Sequence, residues 1–201
     1  MQGIKNHYKK FSFTPIFPMV EIKEFDLQNV SLHYKWNNDK ELHYYDSDYP
    51  HRHEDFDAFL SRIKSVLDDR NDTADLFEVH LKENNKLIGI VDIHAIDAYN
   101  RRCYVNCTIG DRDYAGQGYD VEALKKVLPR CFGERDMHKV ATTAFDFNTS
   151  WIASVKKLGF EQEGQLREHV LKKDAYCDKL IFSLLKKDYN SLQNEVAAVA
   201  E

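Results

Sequence analysis

Thr108-Ile109-Gly110-Asp111-Arg112-Asp113-Tyr114-Ala115-Gly116-Gln117-Gly118-Tyr119-Asp120-Val121-Glu122-Ala123 is the stretch on which the reading of this chain turns. An apolar run from Tyr104 to Ile109 feeds a polar loop with glycines at 116 and 118. A helical pattern follows, in which Tyr119, Val121, Ala123, Leu124, Val127 and Leu128 can share a buried face. Strand, glycine turn and helix together aim free backbone N–H groups and a positive dipole end at an anion. The glycines would let the backbone approach that anion without a Cβ in the way. Two glycines alone also fit an ordinary strand-to-helix connection, so the rest of the chain has to decide.

The 201 residues suit one domain with a proper core. An apolar share of 43% and a charged share of 30% are those of a soluble globular protein. No apolar run approaches the roughly 18–20 residues of a membrane span, and the polar N-terminus lacks a signal-peptide core. A cytoplasmic protein with no membrane partner is therefore expected. The net charge of −5 argues against nucleic acid as a partner. Cys103, Cys107, Cys131 and Cys177 form no CxxC pair and no zinc spacing, so reduced thiols and no metal are expected. Cys103 and Cys107, four apart on a strand, point the same way but lie too far apart to bridge.

Taken in order, residues 1–18 read as an arm, and Met19 to Phe25 as a first strand. Asp26 then caps an amphipathic helix to about Trp36, which Asn37-Asn38-Asp39 ends. Residues 43–57 follow as an irregular segment, mixing aromatics with Asp46, Asp48, Glu54, Asp55 and Asp57 around Pro50. Phe56, Phe59, Leu60, Ile63, Val66 and Leu67 carry a second helix, and Asp68 to Asp75 a solvated loop. Leu76–Leu81, a turn at Asn84-Asn85, Leu87–Ile96 and Arg102–Ile109 read as successive antiparallel strands. The helix after the glycine loop runs to about Phe132, kinked or shortened at Pro129. His138–Phe145 is a strand, Ser150–Leu158 a short helix stopped by Gly159, and Glu161–Lys172 with Cys177–Leu185 a closing β-pair. The domain spans 19–189, and residues 190–201 read as a frayed tail. The fold class is α/β: a mixed, mainly antiparallel sheet with helices on both faces, splayed where one strand pair must run parallel. A ligand site belongs at that opening.

Several motifs fall in a telling order: Leu87-Ile88-Gly89, Ala115-Gly116-Gln117-Gly118-Tyr119 with Glu122-Ala123, Asn148, and Lys157-Leu158-Gly159-Phe160-Glu161-Gln162-Glu163-Gly164. Leu166-Arg167-Glu168 and Tyr176-Cys177-Asp178 complete the series. In these the chain resembles the GNAT superfamily of N-acetyltransferases, in its ribosomal-protein N-terminal (Rim type) and spermidine acetyltransferase branch, over roughly residues 19–189. The resemblance implies a single GNAT-like domain and acetyl-coenzyme A as donor. It implies that the pyrophosphate rests on the N–H groups of Gly116 to Asp120, and that the pantetheine pairs like a strand with the Thr108–Gly110 edge. A backbone N–H near Ile109 would face the thioester oxygen. Tyr114, Ala115, Gln117, Tyr119 and Lys157 complete the implied coenzyme contacts. Asn148 either bonds the pantetheine or merely caps the following helix.

The chain also departs from the family. Its usual Arg or Gln and its usual basic residue are replaced here by Asp113 and Ala115, and Asp120 adds a carboxylate in the first turn of the helix, so weaker coenzyme binding is expected. Val155 stands where many relatives carry a tyrosine that protonates the departing thiolate, which valine cannot do. Ser154, Ser150 or water is left for that step. An amine must lose a proton to attack, and Asp92 and His94, sharing a strand face, are the candidate bases; Asp97 and Glu122 are weaker ones. Tyr104 is a candidate to orient the acceptor. Tyr44, Tyr45, Asp46, Asp48 and Glu54 suit a cationic substrate, with carboxylates on ammonium groups and rings on methylenes. A solvated acidic loop is the plain alternative. The reading is an acetyl-coenzyme A-dependent N-acetyltransferase, monomer or homodimer, acting by direct transfer on a polyamine or a protein N-terminus. An amino-sugar nucleotide as acceptor and a coenzyme-binding sensor without turnover are the rivals.

Overall fold

The structure, a computed structural model, describes residues 20–68 and 72–199. The arm at 1–18 and Met19 lie outside the described residues.

Among the described residues seven strands make one sheet: β1 (Val20–Glu24), β2 (Asp75–Leu81), β3 (Leu87–Asp97), β4 (Arg102–Ile109), β5 (Lys139–Phe145), β6 (Glu161–Lys172) and β7 (Ala175–Leu185). Their order is β1-β2-β3-β4-β5-β7-β6, antiparallel throughout except β4 against β5. The strands alternate, and their two faces differ in kind. Val91 and Ile93 of β3 enter the main core with α4 (Tyr119–Pro129) and α5 (Thr149–Lys157). Ile90, Asp92 and His94 belong to the opposite face, where α1 (Val30–Asn37) and α3 (Phe56–Leu67) build a smaller core on Phe25, Val30, Phe59 and Ile63. The α/β reading with helices on both faces is the observed architecture.

The parallel pairing is short. It joins Arg102–Tyr104 to Lys139–Ala141, and beyond it the strands part. The Arg101 carbonyl accepts from Lys139 N. By strand alternation, Val105, Cys107 and Ile109 then turn their backbone groups into the gap. The helix expected to run to Phe132 is α-helical to Pro129 and continues as a wider π-helical turn over Arg130–Glu134. Proline cannot donate the i→i−4 bond, so the ladder loosens there.

Two expectations are corrected. Asn37-Asn38-Asp39 ends one helix but also starts another: Asp39 accepts from Glu41 N and Leu42 N and caps α2 (Lys40–Asp46), so the segment from 43 is helical at its outset. The tail read as frayed from Asn190 belongs to α6 (Lys186–Val199). Tyr189 stacks on Phe132 with ring centroids 4.6 Å apart, and Leu192 lies over Gly159. Those apolar anchors fix a helix that its sparse apolar pattern alone does not reveal.

Candidate active site

The glycine loop forms with the backbone the motif required. Gly116 and Gly118 have φ of 71° and 88°, the left-handed region open to glycine. Gly118 takes the N-cap position of α4 without a side-chain cap, so the first N–H groups of the helix stay available. Gly110, at the end of β4, lies flat against the Trp36 ring, where any Cβ would collide at 2.2 Å.

Where β4 and β5 part, a cleft of about 420 Å³ opens. Thr108, Ile109, Ala115, Gly116, Asp120 and Asn148 line it. Asp120 thus faces the cleft, as do Tyr45, Asn106, Ser150 and Trp151. The Asn148 oxygen accepts from Trp151 N, so this residue caps α5, and it also lines the cleft. Cys107 is in the same wall, and burial, with Asp120, Asp92 and Asp46 nearby, holds its thiol well above the usual range.

On the helix side, a second cavity of about 380 Å³ lies between α1–α3 and the β2–β3 face. A third, about 200 Å³, fills the gap itself between Tyr104–Asn106 and Thr142–Phe145. Asp46 borders all three, and His94 borders the last two. Thr108 Oγ1 donates to Asp46 Oδ2 at 2.8 Å. The Asp46 carboxyl is open to the cavities yet walled by protein. That desolvation pushes its pKa up to about 6, the Thr108 bond opposing the rise and the Asp92 carboxylate adding to it. Asp92 and His94 pair across β3–β4 with Asn106 and Tyr104. His94 Nδ1 bonds Asp92 Oδ2 at 2.5 Å, and its ring stacks on Tyr104 with centroids 5.8 Å apart.

Other expected residues have different neighbours. Ser154 is buried in α5 and lines none of these cavities, nor does exposed Lys157; of the two candidate serines, Ser150 faces the cleft. Tyr114 packs edge-on against Tyr119 and under Lys86, and Gln117 donates to the Asp113 carbonyl. Most carboxylates of the acidic segment have partners elsewhere in the protein or cap a helix. Asp48 binds Lys179 at 2.7 Å, Glu54 binds Arg62 and Asn37, and Asp55 caps α3. Lys172, stacked over Phe145, donates to the Tyr44 and Ser47 carbonyls at the end of α2, while Tyr44 packs on Phe147. Asn106, Trp151 and Trp36 were not singled out from sequence. Asn106 could have been, since strand alternation puts it opposite Asp92. Among the described residues no group of three or more His, Cys, Asp or Glu side chains gathers as a metal site, and no helix is long and apolar enough to cross a membrane.

The Acetyltransferase (GNAT) domain family matches residues 20–161, and the chain belongs to the GNAT acetyltransferases. Its relatives are named N-acetyltransferases, and family and fold make it one of that enzyme class. The uncharacterized N-acetyltransferase p20 of Bacillus licheniformis is 30% identical over 116 residues, which are 58% of this chain and 65% of that protein. The SPbeta prophage-derived uncharacterized N-acetyltransferase YokL of Bacillus subtilis (strain 168) is 30% identical over 134 residues, 67% of this chain and 75% of that one. Among solved structures, spermidine N-acetyltransferase from Vibrio cholerae in complex with CoA and spermine superposes with a TM-score of 0.76. The match covers 85% of this chain and 97% of that one at 19% identity, a likeness of fold.

Proposed function

We propose that the protein transfers the acetyl group of acetyl-coenzyme A directly to a primary amine. The observation that carries this is the meeting of three cavities at Asp46, which joins the β4–β5 cleft beside the glycine loop to the Asp92–His94 pair. Coenzyme lies in the β4–β5 cleft, its pyrophosphate on the N–H groups at the start of α4. The Ile109 N–H faces the thioester oxygen and stabilises the developing negative charge. The acceptor's ammonium yields a proton to the Asp92–His94 pair, and its nitrogen attacks the carbonyl carbon. The C–S bond breaks and the thiolate takes a proton from the Ser150 hydroxyl or water, which is made good by the second proton that the nitrogen loses as the amide forms. The neutral Cys107 thiol is a poor nucleophile, which favours a ternary complex over an acetyl-cysteine intermediate.

The test is acetyl-coenzyme A-dependent thiol release, which should require an amine. Between about pH 5 and 7, kcat/KM should fall with acidity around the Asp46 titration, because a protonated carboxyl no longer draws an ammonium. Asp46→Asn should flatten that step; an unchanged profile counts against a charged role for Asp46. Ala115→Arg, adding the cation this loop lacks, should tighten coenzyme binding roughly two- to fivefold in calorimetry. No gain would mean that the pyrophosphate does not rest beside residue 115.

A further inference from the structure

We propose that the acceptor amine is carried on an uncharged, apolar body that lies in the cavity beneath α1–α3. The inference rests on the transferase reading above and narrows its substrate class. Phe25, Trp36, Phe59, Ile63, Val66 and Ile90 supply the apolar walls of this cavity. Its carboxylates, Asp46 and Asp92, come together, close enough for the Asp92 charge to raise the Asp46 pKa, and His94 lies with them. One end is therefore built for a single ammonium that must lose its proton.

A polyamine needs anions spaced along its length, and among the described residues the walls do not offer them beyond Asp46 and Asp92. Among the described residues, the rest of the ionisable lining is His33, His43 and Arg62, none of them an anion, and Arg62 is held by Glu54 at 2.8 Å and by Asn37 at 3.1 Å. Of the other carboxylates of the acidic segment, Asp48, Glu54 and Asp55 are engaged by Lys179, by Arg62 and by the N-terminus of α3, and Asp57 lies outside the cavity lining. A second ammonium in this cavity would leave water for apolar rings and a guanidinium, which costs far more than a methyl group there. An alkyl or aryl body instead gains from burial.

A matched series reads this directly. With saturating acetyl-coenzyme A, kcat/KM for n-alkylamines from propyl to heptyl should rise about threefold to fourfold per methylene, the value of burying one such group. Heptylamine should exceed 1,7-diaminoheptane by about tenfold or more, the second ammonium being the sole difference. Spermidine should follow the diamine. Val66→Asp, placing a carboxylate in the apolar wall, should narrow the heptylamine-to-diamine ratio. A peptide beginning with Phe is compared with one beginning with Ser, to distinguish a peptide source of the same amine chemistry from a small molecule.

Quenching of Trp36 fluorescence by heptylamine, absent in Trp36→Phe, reports occupancy without turnover. Binding with no thiol release from any amine would leave the cavity as a site for an apolar amine and overturn the transferase reading. Turnover in which diamine or spermidine matches or exceeds heptylamine would overturn the inference and keep that reading. Neither binding nor turnover of the alkylamines would also overturn it.

Discussion

Asp92→Asn should lower kcat for amine acetylation by about 10²- to 10³-fold, the range of a lost general-base function, while coenzyme affinity stays within about twofold. Alternation along β3 turns Asp92 and His94 to the α1–α3 face, where both border the helix-side cavity, and Asp92 lies outside the coenzyme cleft wall. Asp92 accepts from His94 Nδ1 while Tyr104 stacks against the ring, so the imidazole is held from two sides. Asparagine keeps the volume but removes the charge and can present a donor to Nδ1, which disfavours the tautomer whose Nε2 can accept a proton. His94→Ala should lose a comparable factor. Thiol release at saturating substrates, with coenzyme binding by calorimetry, separates chemistry from binding. Full activity in both variants would remove this pair from the mechanism.

Glu78→Gln should destabilise the fold by about 3–5 kcal/mol, the cost of breaking a buried charged network. For a domain of this size that is roughly a 10 °C drop in thermal midpoint. Glu78 is 1% exposed and accepts four hydrogen bonds: from His33 Nε2 at 2.9 Å, Asp26 N at 3.2 Å, Asn29 Nδ2 at 2.8 Å and His80 Nε2 at 2.8 Å. His80 also donates to the Asn85 carbonyl at 3.0 Å, so both its ring nitrogens are engaged. Glutamine offers one acceptor oxygen and turns an NH2 toward donors, leaving two of the four unmet. Burial raises the Glu78 pKa, but the bonds from His33, His80, Asp26 and Asn29 outweigh it and the net shift is downward. The stabilisation is therefore present above the ordinary carboxylate pKa and is lost as pH falls through the lowered one. Circular dichroism melts at pH 7 and near pH 4 should show the variant's deficit shrinking on the acid side. A midpoint within about 2 °C of the parent at pH 7 would show that the network contributes little to stability.

The sheet, the glycine turn and most helices were legible because each is written in local periods: alternation in β3, a 3.6-residue stripe in α3 and α4, and two glycines at positive φ. α2 escaped because its seven residues carry no stripe, and its start depends on one aspartate that reads equally well as a stop. α6 escaped because its hold on the domain comes from Phe132 and Gly159, both distant in sequence. The Asp92–His94 pair could be read from spacing alone, two residues apart on one strand face. The fate of the acidic segment could not. Lys179, which neutralises Asp48, lies 131 residues further on, and Thr108, which holds Asp46, 62 further on. Charge counts cannot foresee such pairings.

Helix α2 is moored at both ends. Asp39, at its start, takes two bonds from the Arg112 guanidinium in the glycine loop, with Glu41 adding a third, and Asp46, at its finish, takes the Thr108 hydroxyl. The helix that borders the proposed acceptor cavity is therefore fastened to the strand and loop of the proposed coenzyme cleft. A graft of residues 39–57 from a relative with another preference would need matching partners at 108 and 112, two positions more than fifty residues away along the chain.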